Sequence, residues 1–267
     1  MDFKDEFRGQ SVMITGAAGG IGKETAQRFA AAGARVAICD VKARQGRQTA
    51  DEISASGGTA LFQELDVADA QAAQYAVEKA VAQFGAIDVL VNCAGIAGQA
   101  FKNISRTEEA EWDRTYQVNL KGTANCCKAV YGYFRAQKSG KIINVSSVSA
   151  RMPAAGITPY AASKAAVLNL TRSLAAEMAG FNVNVNAVCP GWIWTPIYSE
   201  SGPFRHYAEK HGSTAREAFL GMVKRFCPLQ REQTEADVAN VVLFLASAAA
   251  KNITGQTINV DGGAVMS

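Results

Sequence analysis

Three groups of residues in this sequence have the types and the spacing to do chemistry. The first is Thr15-Gly16-Ala17-Ala18-Gly19-Gly20-Ile21-Gly22, which follows a short apolar run and opens an amphipathic stretch. Glycines there let the backbone turn sharply and approach a pyrophosphate. The N-terminus of the following helix adds unpaired N–H groups and the positive end of its dipole. The second is Asp40, closing the next apolar run, 18 residues past Gly22. A carboxylate at that point can accept both hydroxyls of an adenosine ribose and repels a 2′-phosphate. Residue 19 is Gly rather than a cation, so both features favour NAD over NADP, with Lys42 and Arg44 close enough to weaken the preference. The third is the pair Tyr160 and Lys164, four apart and therefore on one face of a helix. A free phenol, with a pKa of ~10, is a poor base at neutral pH. A nearby ammonium and a positive nicotinamide both favour phenolate, and lowering the pKa by ~3 units takes roughly 4 kcal/mol. The spacing thus predicts a tyrosine acidified by neighbouring positive charge.

These groups need a scaffold, and the pattern of the chain supplies one. It has 267 residues, with 48% hydrophobic and 19% charged, which excludes intrinsic disorder and leaves ample material for a core. Lys plus Arg is 27 against 24 Asp plus Glu, a balance that points away from nucleic acid and membrane surfaces. Short apolar runs alternate with Ala-rich amphipathic stretches, the βαβ signature of a parallel sheet with helices on both faces. The runs Ser11–Thr15, Arg35–Cys39, Ala60–Leu65, Val89–Asn92, Lys141–Val145, Val183–Val188 and Thr257–Val260 read as strands. Helices are expected near 20–32, 43–56, 69–84, 108–136, 161–179 and 235–247. No linker separates two cores, so the expected architecture is a single α/β domain, residues 1–267, with a doubly wound, Rossmann-like seven-stranded parallel sheet. The stretch 196–233 breaks the rhythm and reads as a substrate lid. No apolar run approaches a membrane span, and the N-terminus lacks a signal-peptide stretch, so a cytoplasmic protein is expected. Six cysteines without C-x-x-C spacing read as buried reduced thiols, and no metal site is expected.

Further segments complete a recognisable set. Asn92-Cys93-Ala94-Gly95 follows the fourth strand, Ser146-Ser147 the fifth and Pro190-Gly191 the sixth, with Tyr160-Ala161-Ala162-Ser163-Lys164 between the last two. Together with the glycine turn, these resemble the short-chain dehydrogenase/reductase family, single-domain type, from Gln10 to Gly263. Cys93 departs from the family's usual second Asn. The resemblance implies that Gly16, Gly20, Ile21 and Gly22 hold the pyrophosphate, and that Asp66 and Val67 contact adenine. It places Asn92 beside the ribose, and Pro190, Gly191, Ile193 and Thr195 at the nicotinamide amide. Asn119, Ser147, Tyr160 and Lys164 match the family's catalytic set, with Tyr160 and Lys164 also touching the cofactor. In the implied reaction Tyr160 takes an alcohol proton as hydride leaves carbon, Ser147 fixes the substrate oxygen, and Asn119 holds a water linking Lys164 to solvent.

Substrate readings follow from where ligands sit in such folds, beyond the carboxyl ends of the strands. Candidate segments are Ala97 to Phe101, Ser149 to Met152 and Trp192 to Tyr207, with Ser147, Ser149, Trp192 and Trp194 as the named substrate residues. Trp192, Trp194 and Tyr198 either line an apolar pocket or pack the lid onto the body. Arg151 either meets an anionic group or is a solvated loop residue, and His206 and His211 read as solvent-facing. Cys189 to Pro196 resembles 3-hydroxybutyrate dehydrogenases, whereas Ala97 and Ser149 depart from them. The leading expectation is an NAD-dependent dehydrogenase of a polyol, diol, hydroxy acid or similar secondary alcohol, its small-molecule partner. The alternatives are an NADPH-dependent 3-oxoacyl reductase and a non-catalytic dinucleotide-binding protein. Relatives commonly pair the helices near 108–136 and 161–179, which implies a homotetramer.

Overall fold

The structure is a computed structural model that describes residues 3–98, 102–195 and 212–266. Its strands are β1 (Ser11–Thr15), β2 (Arg35–Asp40), β3 (Thr59–Glu64), β4 (Val89–Asn92), β5 (Gly140–Val145), β6 (Val183–Pro190) and β7 (Thr257–Val260). All pair in parallel in the order β3-β2-β1-β4-β5-β6-β7. The order reverses between β1 and β4, and a doubly wound sheet opens a crevice outside the carboxyl ends of its strands at such a point. The strands between the edges are buried because helices cover both faces, which is why β1 and β4 are runs of largely apolar residues, and the asparagines that β5 and β6 bury are hydrogen-bonded inside. Strand alternation divides the core. Val12 and Ile14 face the layer of Phe29, Val238 and Val242, whereas Met13 faces that of Val130, Phe134 and Met178. Each such side chain, fully buried, contributes roughly 1.5–3 kcal/mol.

The helices are α1 (Gly20–Ala31), α2 (Ala43–Ala55), α3 (Ala70–Phe84), α4 (Glu109–Tyr116), α5 (Thr123–Gln137), α6 (Thr158–Met178), α7 (Ala215–Phe226) and α8 (Glu235–Ala246). Two of them depart from the sequence expectation. The helix expected over 108–136 is interrupted by a π-helical turn at Gln117–Gly122, a feature concentrated at functional sites, and Asn119 lies in it. Residues 212–233, expected as part of an irregular lid, contain α7, which starts with a capping box. Thr214 accepts from the Glu217 amide, and the Glu217 carboxylate accepts from the Thr214 amide. The first part of that lid, 196–211, lies outside the described residues, and so do Tyr198, His206, His211 and 99–101. No helix among the described residues is long and apolar enough to cross a membrane. The six cysteines are free thiols, five of them buried and Cys93 half-buried.

Candidate active site

The glycine turn stands where β1 ends and α1 begins, and it is shaped by lack of side-chain room. Gly16 has φ +68, and a Cβ there would come within 2.7 Å of the Ala94 backbone. A Cβ on Gly22 would collide with the carbonyl oxygen of Gly16. Thr15 Oγ1 accepts from the amides of Cys93 and Ala94 at 3.2 Å each, which fastens the turn to the end of β4. Gly19, the N-cap of α1, makes no side-chain cap bond, and no acidic residue occupies the first turn. A Cβ on Gly19 would meet nothing within 4 Å. An uncapped helix start beside open space fits a pyrophosphate, which supplies the acceptors those amides lack.

A cleft of ≈ 1090 Å³ runs from this turn across the sheet. Gly16, Gly20, Ile21, Gly22, Asp40, Asp66 and Val67 line one end, and Ser147, Tyr160, Lys164, Pro190, Gly191, Ile193 and Thr195 the other. Asp40 is held rigidly, Oδ2 accepting from the Ala18 amide and Oδ1 from the Lys42 amide, each at 2.9 Å. Its carboxylate therefore bridges the glycine turn and the β2–α2 connection. Lys42, Cys93, Gly95 and Ser146, noted in the sequence without a site role of their own, also line the cleft, as does Gln45, which the sequence reading passed over.

At the other end, α6 carries Tyr160 and Lys164 into the cleft, with Pro159 in its first turn where no amide partner is needed. Lys164 Nζ donates to the Val145 carbonyl at 2.8 Å and lies 5.8 Å from the Tyr160 ring centre. Ser146, buried, donates to the Lys164 carbonyl at 2.8 Å and so fastens α6 to the end of β5. The Ser147 hydroxyl oxygen accepts from the Ser149 amide at 3.1 Å, and its side chain hydrogen-bonds Tyr160. Asn119 is fully buried. Its Nδ2 donates to the Ile96 carbonyl at 2.9 Å and to Ser163 Oγ at 3.0 Å, and its Oδ1 accepts from the Ile96 amide at 2.8 Å. The Asn119 amide thus ties the chain after β4 to α6, with both of its donors engaged inside the protein.

The electrostatics correct one expectation. Burial pushes the Tyr160 phenol up, and the Ser147 hydrogen bond only partly pulls it back. Burial also pushes the Lys164 ammonium down to about 8. In the chain alone, without the positive nicotinamide, burial is the dominant influence and holds the phenol above its ordinary range.

Four sequence-stated placements change as well. Asn92 is buried and does not line the described cleft. Its Nδ2 donates to Asn144 Oδ1 at 2.9 Å and contacts Cys127 Sγ at 3.3 Å, so its side chain serves the sheet interior rather than a ribose. Trp192 and Trp194 turn away from the cleft onto α7. Trp192 stacks on Phe226 at 5.9 Å, and Trp194 meets Phe219 edge-on at 5.1 Å. Ile193 is bridged to Gln233 and the Thr195 amide turns back to the Ile193 carbonyl at 2.8 Å, which leaves Gly191, Ile193 and Thr195 on the cleft and Trp192 and Trp194 on the α7 side. Ser149 is not among the described lining residues and contributes its amide to Ser147. Arg151 donates to Asn259 Oδ1 at 3.1 Å, toward β7.

Comparison with known proteins agrees with this geometry. A family profile described as "Enoyl-(Acyl carrier protein) reductase" matches residues 16–265. The 3-oxoacyl-[acyl-carrier-protein] reductase FabG of Thermotoga maritima is 41% identical over 258 residues, covering 97% of this chain and 98% of that protein. The crystal structure of levodione reductase superposes with a TM-score of 0.89 at 30% identity, covering 96% of this chain and 98% of that one. An actinorhodin polyketide ketoreductase variant solved with NADPH also gives 0.89, at 32% identity, covering 96% and 97%. An oxidoreductase fold that binds a nicotinamide dinucleotide, the glycine turn and the Ser-Tyr-Lys grouping on their expected elements, and relatives of matching length together place this chain in the short-chain dehydrogenase/reductase family.

Proposed function

We propose that the protein interconverts a secondary alcohol and its ketone with NAD as cofactor, using Tyr160, Ser147, Lys164 and Asn119. The observation that carries this reading is the meeting of Ser147, Tyr160 and Lys164 in the cleft that Asp40 closes at its other end. When bound there, the nicotinamide accepts or returns the hydride and, oxidised, adds a positive charge beside the phenol. Gly16, Gly20, Ile21 and Gly22 hold the pyrophosphate through main-chain amides. The fixed Asp40 carboxylate accepts the adenosine ribose hydroxyls and disfavours a 2′-phosphate by charge.

In oxidation, Tyr160 Oη takes the hydroxyl proton of the alcohol as its carbon loses hydride, and in reduction Tyr160 Oη returns a proton to the carbonyl oxygen. Ser147 has its oxygen engaged by the Ser149 amide, so its hydrogen is free to stabilise the phenolate or the substrate alkoxide. Lys164, anchored to Val145 and 5.8 Å from the Tyr160 ring centre, would hold the ribose hydroxyls of the cofactor. Asn119 positions this group by joining Ile96 to Ser163. Assembly as a cytoplasmic homotetramer belongs to the same reading.

A second reading, a 3-oxoacyl reductase using NADPH, draws support from the FabG relative and the NADPH-bound ketoreductase, and from Lys42 lining the adenosine end. The deciding experiment assays polyols, diols, hydroxy acids, hydroxysteroids and 3-oxoacyl thioesters with NAD(H) and NADP(H) in parallel. The proposal expects oxidation of a secondary alcohol with at least a tenfold NAD preference. Turnover confined to oxoacyl thioesters with NADPH would replace it with the second reading.

A further inference from the structure

The wall formed by Pro190–Thr195 lies next to the Ser147 end of the cleft, because β6 pairs with β5. Behind it lies a buried side chain, Gln233, which is 6% exposed. Gln233 Oε1 accepts from the Trp192 amide at 3.1 Å, and Nε2 donates to the Arg231 carbonyl at 2.9 Å and contacts Cys227 Sγ at 3.8 Å. Its main chain bridges to Ile193 in parallel. The amide is wedged between two glycines. A Cβ on Gly191 would come within 2.6 Å of Oε1, and one on Gly262 within 2.8 Å of Nε2. Three separate stretches therefore converge on this amide: the cleft wall after β6, the turn after α7 and the turn after β7. The adjoining Glu232 receives Arg216 of α7 at 2.5 Å, and the same guanidinium lies 5.2 Å over the Trp194 ring.

We propose that Gln233 is a positioning residue that sets the height of the Pro190–Thr195 wall, and hence how the reacting end of a dinucleotide is held. Gln233 is not itself a lining residue of the described cleft. It acts by fixing the odd-numbered residues Gly191, Ile193 and Thr195 toward the cleft while Trp192 and Trp194 are taken up by α7. A buried amide whose acceptor and donor are both engaged with main-chain groups defines one register of that segment, and losing it orphans the Trp192 amide. The adenosine end, at Asp40, is four strands away, roughly 19 Å at ~4.8 Å per strand. Gln233 therefore acts on one end of the ligand only.

The inference rests on the dinucleotide reading above, and the test separates the two. Isothermal titration measures binding of NAD and of ADP, the latter occupying only the adenosine end, to the full chain. Gln233→Leu keeps the volume and removes both hydrogen bonds. The expected result is at least a tenfold weaker Kd for NAD, with the ADP Kd within twofold of the wild type. Gln233→Glu, whose carboxyl when protonated reproduces both donor and acceptor, should regain NAD affinity as the pH falls, again without change for ADP. Equal weakening of NAD and ADP, or no change in either, would overturn the positioning role. A wild-type chain that binds ADP but not NAD would sink both readings, since no nicotinamide end would then be held.

Discussion

At the carboxyl ends of β1 and β2 the cleft is walled by main chain: glycines packed against Ala94, an uncapped helix start, and a carboxylate clamped by two amides. Beyond β6 the wall is a short segment held in place by side chains from distant parts of the sequence, Phe219, Phe226 and Gln233. The first region derives its shape from local backbone constraints. The second derives it from packing between stretches that are close only after folding. A local constraint is written in consecutive residues, whereas a packing constraint depends on which face of a segment its partner covers. Between them stands the Tyr160 group, where the burial of a phenol and an ammonium is tolerated at the proposed point of chemistry.

The largest expected effect tests that middle group. Tyr160→Phe removes the atom proposed to transfer the proton and leaves the ring's packing. Turnover should fall by about 10³-fold or more, in line with the loss of general acid–base catalysis, while the dinucleotide Kd changes less than tenfold. Steady-state kinetics and a binding titration check the two halves separately. A variant that keeps wild-type turnover would move the chemistry elsewhere in the cleft.

Lys164 offers the next largest effect, read through stability. Its folded-state pKa of about 8 lies below the ordinary lysine value of 10.5 because burial disfavours the ammonium. Below pH 8 both folded and unfolded chains carry the proton, and the folded state bears the full desolvation cost. Between pH 8 and 10.5 the unfolded chain binds more protons, so stability rises with pH through that window. The stability of the wild type minus that of Lys164→Met should therefore rise by about 3 kcal/mol from pH 8 to 10.5. Denaturant melts at several pH values measure it, and a flat difference would mean that water reaches the ammonium.

Asp40 sharpens the description of the main-chain wall. Asp40→Asn keeps the shape and an acceptor but removes the charge. The ratio of kcat/KM with NAD to that with NADP should fall by about 10–100-fold, the scale of a hydrogen bond to a charged group. An unchanged ratio would show that cofactor choice lies with Lys42 and Gln45, which share that end of the cleft.

The same division explains what was legible beforehand. β1, β4 and β7 have the bounds that their apolar runs suggest, and the glycine turn sits where its spacing places it. Asn92 misled because in a strand successive side chains point to opposite faces. Its amide joins Asn144 inside the sheet, and the cleft is lined instead from Cys93 onward. For Trp192 and Trp194 the second of the two alternatives holds: both pack on α7, while their neighbours Gly191, Ile193 and Thr195 line the cleft. Strand alternation was available as a signal for Asn92, as was Thr214-x-x-Glu217 for the start of α7. Gln233 was not legible, since its partners lie 41 residues away at Trp192 and across the turn after β7. The phenol's direction of shift was missed because burial is a property of the folded cleft and not of the Tyr-Lys spacing.

The smallest effect concerns the side-chain-built wall. Trp194 is half-buried, contacting Phe219 and lying under Arg216, and it faces α7 rather than the cleft. Trp194→Ala should cost about 2 kcal/mol of stability, less than the 3–5 kcal/mol of a fully buried aromatic, because part of the ring is already in water. The Kd for ADP should stay within twofold, since the glycine turn and Asp40 lie at the other end of the cleft, four strands away. Equilibrium unfolding and titration of the same preparation read both quantities. Loss of ADP binding in step with stability would mean that the two ends of the cleft are one cooperative unit, and the contrast between a locally fixed wall and a packed one would fail.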